Sequence, residues 1–225
     1  MDLDLAGKHV LITGASGGIG LVVASMFLEE GAKVTGTYNN ATEPLEELKS
    51  KWSDSLSVVK MDQSSEEDVQ DLFDKANQTF GRVDVLVANA GIAPQEGKSI
   101  QEMTLEQWEN TLRVNLTGSF LCAKHFFVNL ERHPGESASL ILVGSTAGFF
   151  GEAWHVDYST SKAAMHGMMM SLKNEIVYVA PKGRVNLVNP GWTMTKMAEE
   201  ALTDQNMVRR ILQTIPMRKT AVPED

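Results

Sequence analysis

A tyrosine and a lysine four positions apart, Tyr158 and Lys162, have the clearest chemical use in this chain. On an α-helix that spacing places both side chains on one face. A phenol has an unperturbed pKa of about 10, and a neighbouring ammonium group lowers that pKa because it favours the phenolate. The pair therefore suits general acid and base chemistry near neutral pH, although the same spacing also occurs by chance on helix surfaces.

Two further polar residues precede this pair. Ser145 stands thirteen residues before Tyr158, directly after an apolar run, and its hydroxyl can hold a substrate oxygen. Asn115 lies inside a helix-like segment, where asparagine is mildly unfavourable because its side chain competes for backbone hydrogen bonds. In isolation, Ser145 is more readily explained as a cap or turn residue, and Asn115 as a partner of a neighbouring carbonyl.

A glycine-rich turn at residues 13–20 forms the other end of the predicted site. It lies between the first apolar run and a helix-like segment. In that position the free N–H groups and the positive dipole end of the new helix can face a pyrophosphate, and glycine lets the backbone approach it. A glycine cluster alone is also an ordinary tight turn, so the position carries the prediction of a dinucleotide site.

Short β-branched runs alternate with helix-length segments along the chain. The expected strands are residues 9–12, 33–38, 56–60, 84–88, 140–143 and 184–188, and the expected helices include 19–30, 64–79, 105–130 and 158–179. Near-continuous apolar strands separated by helices favour a parallel sheet covered on both faces. We therefore predict a single doubly wound α/β domain over residues 1–225, with no linker and no internal repeat.

Composition and charge exclude several classes of function. The formal net charge is -9, from 20 basic and 29 acidic residues, and the basic residues are scattered, which argues against nucleic acid as a partner. No apolar run approaches the about 20 residues that cross a bilayer, and the N-terminus lacks the features of a signal peptide. Cys122 is the single cysteine, so a disulfide or a thiolate metal cluster is not expected. We expect a cytoplasmic protein without membrane or metal partners.

Taken in order, these motifs resemble those of the short-chain dehydrogenase/reductase family. The turn at residues 13–20 is similar to the family's Thr-Gly-x-x-x-Gly-x-Gly fingerprint, and the Pro-Gly turn at residues 190–195 is similar to the one that cups the nicotinamide. The resemblance covers residue 8 to about residue 195. It implies a Rossmann fold and an oxidoreductase that transfers a hydride between NAD(P) and a carbonyl or alcohol carbon.

The resemblance also implies a role for each of the four reactive residues. Tyr158 is the general acid and base, and Ser145 orients and polarises the substrate oxygen. Lys162 lowers the pKa of Tyr158 and holds the nicotinamide ribose. Asn115 anchors a water chain that carries protons between the lysine and solvent. All four positions are occupied by the family's residue types.

Cofactor contacts follow from the same resemblance. Asp62 is expected to bind the adenine with the Gln63 backbone N–H, although without the resemblance Asp62 is a turn carboxylate or helix cap. Ala88 departs from the family's usual asparagine before the Asn-Ala-Gly turn. Thr193 is expected to hold the carboxamide through its backbone, and Thr195 through its hydroxyl. The predicted cofactor site comprises Gly14, Ser16, Gly18, Ile19, Gly20, Tyr38, Asn39, Asp62, Gln63, Asn89, Ala90, Gly91, Tyr158, Lys162, Pro190, Gly191, Thr193 and Thr195.

The end of the second strand favours NADP over NAD. An acid there would bind the ribose 2′-hydroxyl and repel a 2′-phosphate, but Tyr38 occupies that position. Asn39 and Asn40 can donate amide hydrogens to a phosphate. Gly17 stands where many NADP-dependent members of the family carry a basic residue, so the compensating charge is missing and NAD stays the alternative.

Two alternatives to an active oxidoreductase stay open from the sequence. A catalytically weak or inactive nucleotide-binding or scaffold protein would keep the fold without the reaction. An epimerase or dehydratase of the extended relatives would need a substantial substrate domain after the last motif. The substrate is expected to be a small carbonyl or alcohol compound, and its pocket has six candidate lining residues: Phe149, Phe150, Trp154, His155, Trp192 and Met194.

The resemblance further implies assembly and a short C-terminal end. The family pairs subunits through the helices at 105–130 and 158–179, which predicts a homodimer or homotetramer. An apolar patch on these helices is then expected to be partly exposed in one chain. Residues 216–225 resemble the lead-in to a further helix and strand of the family, so six strands are expected, with 184–188 at an open edge. The predicted patch comprises Phe126, Phe127, Met165, Met168 and Met169.

Overall fold

A six-stranded parallel sheet organises the part of the chain that the computed structural model describes, residues 3–94 and 96–225. The strands run side by side in the order β3-β2-β1-β4-β5-β6. They are β1 (His9–Ile12), β2 (Lys33–Tyr38), β3 (Leu56–Lys60), β4 (Val85–Ala88), β5 (Ser139–Val143) and β6 (Arg184–Val188). The predicted doubly wound sheet of six strands is confirmed, and each strand lies within one residue of its predicted bounds.

Helices cover both faces of this sheet. Successive strand residues alternate between two apolar clusters, because side chains of a strand point to opposite faces in turn. Val10 and Ile12 pack with Leu28 on one face, whereas Leu11 packs with Phe126 on the other. The helices are α1 (Gly18–Glu29), α2 (Glu43–Lys51), α3 (Glu66–Phe80), α4 (Leu105–Leu112), α5 (Gly118–Arg132), α6 (Thr146–Phe150), α7 (Val156–Glu175), α8 (Glu199–Thr203) and α9 (Gln205–Thr214).

The predicted single helix at 105–130 is interrupted. A π-helical turn, Arg113–Thr117, separates α4 from α5. Such turns insert an extra residue into a helix and often mark functional positions. Asn115 lies at the centre of this turn and is fully buried. The predicted helix at 158–179 is also shifted, since α7 begins two residues earlier and ends in a 3-10 turn, Ile176–Tyr178.

The predicted apolar patch on the long helices is wrong for two of its five members. Phe126 and Met165 are only 0% and 1% exposed, because the periods of α5 and α7 turn them toward the interior. The other three, Phe127, Met168 and Met169, are partly exposed as expected and pack against the same core. The large apolar side chains that α5 and α7 do expose are Phe120 and Met170.

The segment after β6 contains two short helices, α8 and α9, that the sequence interpretation did not predict. The sequence does contain a signal for α9, because Asp204 is a typical N-cap residue and Met207 and Ile211 stand four residues apart. In the structure the Asp204 carboxylate accepts from the Asn206 N–H at 2.8 Å. Beyond α9, Ala221 forms a parallel bridge with Thr193. In the sheet of the described residues, β6 pairs with β5 alone and forms the edge.

The described residues contain neither a membrane-spanning helix nor a metal-binding cluster. Within residues 3–94 and 96–225, no helix is both long and apolar enough to cross a membrane. The same residues contain no group of three or more His, Cys, Asp or Glu side chains arranged to hold a metal ion.

Candidate active site

The glycine-rich turn after β1 is joined to the turn after β4 by side-chain hydrogen bonds. The Thr13 hydroxyl accepts from the backbone N–H groups of Asn89 and Ala90 at 3.1 and 2.9 Å. In return, the Asn89 amide donates to the carbonyls of Thr13 and Gly14 at 3.0 and 3.1 Å. The chain leaves β1 and β4 toward opposite edges of the sheet, and these bonds fix the crevice that opens between the two turns.

Two glycines of this turn have no room for a side chain. A Cβ on Gly20 would lie 2.4 Å from the Gly14 carbonyl oxygen and 2.7 Å from the Asn89 amide nitrogen. Gly14 itself has φ +64°, and its Cβ would lie 2.9 Å from the backbone of Ala90. Helix α1 begins at Gly18, so its first N–H groups have no partner within the helix and are available to an anion.

Asp62 lies on the cavity wall at the end of β3 and also makes a local turn. One of its carboxylate oxygens accepts from the Ser64 backbone N–H at 2.9 Å and from the Ser64 hydroxyl at 2.8 Å. These hydrogen bonds hold the pKa of Asp62 below its ordinary value. The cap of α3 is Ser65, whose hydroxyl accepts from the Asp68 N–H at 3.3 Å. Asp62 therefore combines a turn contact with exposure to the cavity.

Gln63 has a side-chain role that sequence interpretation missed. Its side chain is buried and donates to the carbonyls of Ala90 and Val114 at 3.0 and 2.8 Å. A Cβ on Gly118 would lie 2.6 Å from the Gln63 side chain. Gln63 thus ties the turn after β3 to the turn after β4 and to the π-helical turn. No pattern in the sequence indicates such a three-way contact.

Asn115 supports the site from behind. Its side-chain oxygen accepts from the Ile92 N–H at 2.8 Å. Its amide donates to the Ile92 carbonyl at 2.9 Å and to the Ser161 hydroxyl at 3.1 Å. The bonds to Ile92 pair its backbone N–H and carbonyl in the loop after β4. The bond to Ser161 connects that loop to α7. The buried asparagine therefore positions α7, the helix that carries Tyr158 and Lys162.

Lys162 is a buried ammonium group beside the Tyr158 ring. Its Nζ donates to the Val143 carbonyl at 2.9 Å and lies 5.8 Å from the centre of the Tyr158 ring. Burial lowers the pKa of Lys162 to about 8, because a charge in an apolar interior loses its hydration. A Cβ on Gly91 would lie 3.3 Å from Nζ, so this glycine keeps the approach to the lysine open.

Tyr158 does not have the lowered pKa that the sequence predicts. Burial raises the pKa of Tyr158 above its ordinary value, the hydrogen bond with Ser145 lowers it, and the charge of Glu152 raises it. The predicted depression by Lys162 is wrong in this structure, because Nζ faces the ring and the Val143 carbonyl. The phenol is therefore held in its protonated form at neutral pH, which suits proton donation.

Ser145 both caps a helix and contacts Tyr158. It lies two residues after β5 and precedes α6, where its hydroxyl accepts from the Ala147 N–H at 3.1 Å. Its own N–H donates to the Asn189 side-chain oxygen at 3.1 Å. Ser145 and Tyr158 line the same cavity, and the Ser145 hydroxyl lowers the pKa of the phenol. The cap fixes the Ser145 hydroxyl beside the phenol.

The turn after β6 leaves the backbone of Thr193 free. In the bridge with Ala221, the Met194 N–H donates to the Ala221 carbonyl at 2.8 Å, and the Ala221 N–H donates to the Trp192 carbonyl at 2.9 Å. A parallel bridge uses the groups of the flanking residues, so the N–H and carbonyl of Thr193 itself stay available on the other side. Thr195 lies against Gly18, whose Cβ would approach its side chain to 3.2 Å.

One open cavity of about 2100 Å³ joins these parts. It is lined by every predicted site residue except Gly20 and Asn115, which lie behind its wall. Of the six residues expected to line a substrate pocket, Phe150, Trp154, His155 and Trp192 do so, but Phe149 and Met194 do not. The prediction missed several lining residues of the substrate end, namely Glu152, Met207, Arg210 and Ile211.

Comparison with known proteins gives consistent results. The family model described as short chain dehydrogenase matches residues 8–206. The chain is 34% identical over 222 residues to an NADP-dependent (R)-specific alcohol dehydrogenase of Lentilactobacillus kefiri, covering 98% of this chain and 86% of that protein. It is 33% identical over 227 residues to glucose 1-dehydrogenase 2 of Bacillus subtilis (strain 168), covering 99% of this chain and 85% of that protein.

Solved structures show the same likeness. A short-chain dehydrogenase/reductase of Brucella melitensis, titled a glucose/ribitol dehydrogenase, superimposes with a TM-score of 0.87 at 30% identity, over 97% of this chain and 85% of that one. A 3-ketoacyl-(acyl-carrier-protein) reductase of the same organism, complexed with NADH, has a TM-score of 0.87 at 27% identity, over 98% and 88% of the two chains.

Substitution of Gly20 by alanine is predicted to damage dinucleotide binding. The new methyl group would meet the Gly14 carbonyl oxygen at 2.4 Å, so the turn must open. We expect the Kd for NADPH, measured by fluorescence titration, to rise by about tenfold or more, equivalent to about 1.4 kcal/mol. Gly167→Ala is the matched control, because no atom lies within 4 Å of its Cβ position and Gly167 is exposed on α7 away from the cavity. Equal affinities for the two variants would contradict the steric argument.

Proposed function

We propose that this chain, which belongs to the short-chain dehydrogenase/reductase family, transfers a hydride between NADP and a small carbonyl or alcohol substrate, with Tyr158 as general acid and base. The observation that carries this proposal is that Ser145, Tyr158 and Lys162 line the same cavity as the glycine-rich turn, with the Lys162 Nζ 5.8 Å from the centre of the Tyr158 ring. The family membership makes the chain an oxidoreductase acting on CH-OH or C=O groups.

The residues present fit a nicotinamide dinucleotide. Gly14 and Gly20 leave no space for side chains in the turn, and the free N–H groups of α1 provide an anion site for the pyrophosphate. The unused backbone groups of Thr193 can hold the carboxamide at the other end of the cavity. The bound cofactor supplies the redox chemistry, and the protein supplies position and charge.

Proton transfer in this proposal runs through the Tyr158 phenol. The phenol donates its proton to the carbonyl oxygen during reduction, and in the reverse reaction the phenolate accepts the proton of the alcohol. The Ser145 hydroxyl holds the same substrate oxygen. The Lys162 ammonium, with a pKa of about 8, is mainly charged at neutral pH and holds the ribose. We assign to Asn115 the anchoring of a water chain beside Lys162, since both lie against Gly91.

Cofactor choice is proposed to favour NADP. Tyr38, Asn39 and Asn40 line the cavity at the end of β2 and place no acid there. The register of β2 and β3 puts Lys60 beside Tyr38, which supplies a cation that the sequence interpretation did not identify. Lys60 and Asn39 also line a smaller adjoining cavity, together with Lys75 and the carboxylates of Asp62, Asp68 and Asp71. The alcohol dehydrogenase relative is named as NADP-dependent, whereas one structural neighbour was solved with NADH.

The proposed preference is tested by steady-state kinetics with both reduced cofactors. We expect kcat/KM to be higher with NADPH than with NADH, and Lys60→Gln to reduce that ratio severalfold because it removes one charge near the phosphate. The exposed Lys51 of α2 provides a matched control, Lys51→Gln, which should leave the ratio unchanged. A higher kcat/KM with NADH in the wild-type protein would overturn the proposal.

Assembly as a homodimer or homotetramer is proposed from the family resemblance and from exposed apolar side chains. Phe120 on α5 and Met170 on α7 are 50% and 44% exposed, on helices through which the family pairs its subunits. Burial of such side chains between chains would remove apolar surface from water. Light scattering at micromolar concentration is expected to give at least twice the mass of one chain, and a monomer mass would contradict the proposal.

Tyr158→Phe is predicted to remove turnover while leaving dinucleotide binding nearly intact, because only the transferable proton is lost. We expect kcat to fall about 100-fold or more, measured by nicotinamide absorbance at about 340 nm with a panel of ketones, aldehydes and polyols. Tyr178→Phe makes the same change at a tyrosine that is 87% exposed and should not change kcat. Lys162→Met should weaken both binding and turnover. Retention of a tenth or more of wild-type turnover by Tyr158→Phe would refute the assignment.

A further inference from the structure

Residues 152–155 connect α6 to α7 and are fixed beside the reactive tyrosine. The Glu152 N–H donates to the Ser159 hydroxyl at 3.1 Å, and the Glu152 carbonyl accepts from the His155 N–H at 3.3 Å. The Trp154 carbonyl accepts from the Lys98 N–H at 2.8 Å. We call this segment the 152–155 wall. These bonds make it a rigid part of the substrate end of the cavity.

The Glu152 carboxylate is a hydrogen-bond acceptor without a protein donor. It is partly buried on the cavity wall, and no group of the described residues donates a hydrogen bond to it. Burial raises the pKa of Glu152, and the nearby His155 lowers it. Glu152 and Tyr158 line the same cavity, and the Glu152 charge raises the pKa of Tyr158. Since the carboxylate is partly exposed to the cavity and has no donor among the described residues, a hydroxyl group of the substrate can replace solvent as its partner.

His155 supplies a second acceptor on the same wall. Its Nδ1 lies 3.0 Å from the Ala153 carbonyl oxygen. Because a carbonyl only accepts, Nδ1 carries the hydrogen of that bond, and Nε2 of the neutral ring is an acceptor. The ring packs against Gly97, where a Cβ would lie 2.9 Å from Cε1. The wall therefore presents two hydrogen-bond acceptors, and each can bind a hydroxyl or amine donor of the ligand.

Trp154 adds an apolar surface between these acceptors. Its backbone has φ +64°, a left-handed conformation that residues other than glycine rarely adopt. Such conformations concentrate at ligand-binding sites, where the surrounding structure enforces them. The indole is 64% exposed although the residue lines the cavity. An exposed indole beside polar acceptors suits a ligand that has both a carbon face and hydroxyl groups.

We propose that the 152–155 wall selects uncharged polyhydroxylated substrates, such as open-chain polyols and the corresponding keto-sugars. Glu152 and His155 accept hydrogen bonds from hydroxyl groups near the reacting carbon, and Trp154 packs against the carbon chain. The negative charge of Glu152 opposes anionic substrates of the same size. This inference rests on the proposed hydride transfer at Tyr158 and deepens it by naming the substrate class.

The test compares three substrates that differ in donors and charge: a hexitol (sorbitol), 2-hexanol and gluconate. Glu152→Leu should lower the ratio of kcat/KM for sorbitol to that for 2-hexanol by about tenfold or more, because the donor loses its partner. His155→Leu should lower the same ratio. Glu152→Gln retains an acceptor, so it should have a smaller effect on this ratio and should raise the rate with gluconate relative to sorbitol.

Glu175→Gln is the matched control, since Glu175 ends α7, about 25 Å along the helix from Tyr158, and accepts from Ser171. It should leave all ratios unchanged. A wild-type protein that oxidises 2-hexanol but not sorbitol, or a Glu152→Leu variant with unaltered ratios, overturns the inference and leaves the proposed function standing. If the wild-type protein oxidises none of the three and matches Tyr158→Phe on every other substrate tested, the proposed function falls, and the inference falls with it.

Discussion

The divergence of the chain at the carboxyl ends of β1 and β4 determines where the functional residues of this protein meet. From β1 the sheet is built toward β3, and from β4 it is built toward β6, so the two turns separate and leave a crevice. Thr13 and Asn89 prevent the crevice from widening, because each side chain bonds the backbone of the opposite turn. The sheet thus brings the glycine-rich turn and α7 to the same crevice, and the side-chain bonds of Thr13, Asn89 and Asn115 fix them there.

Burial within that crevice shifts the pKa values of two neighbouring side chains, Lys162 and Tyr158, in opposite directions. The Lys162 ammonium loses hydration, which lowers its pKa to about 8, whereas the Tyr158 phenol becomes harder to ionise. Burial thus keeps the proton on the phenol and makes the proton on the ammonium easier to lose. Ser145 counters part of this effect through its hydrogen bond, while the Glu152 charge adds to it. The protonation state of Tyr158 is therefore set by the whole enclosure.

Local patterns made the strands, the glycine-rich turn and the Tyr158–Lys162 pair predictable, because each depends on neighbours in sequence. The features that the sequence did not predict depend on packing between residues far apart in the chain. The burial of Phe126 depends on which face α5 turns toward the sheet, and the side chain of Gln63 bonds residues 27 and 51 positions away. The position of Glu152 on the cavity wall likewise follows from a loop whose path no sequence period describes.

The π-helical turn around Asn115 makes this region intolerant of changes in chain length. Such a turn holds one residue more than an α-helix would, so deleting a residue from Arg113–Thr117 would restore regular winding. Because the wide turn takes up its extra residue within one turn, α4 and α5 would keep about their mutual orientation. Asn115, however, would leave the position from which it bonds Ile92 and Ser161. A shorter and more regular helix would therefore cost the loop after β4 its connection to α7.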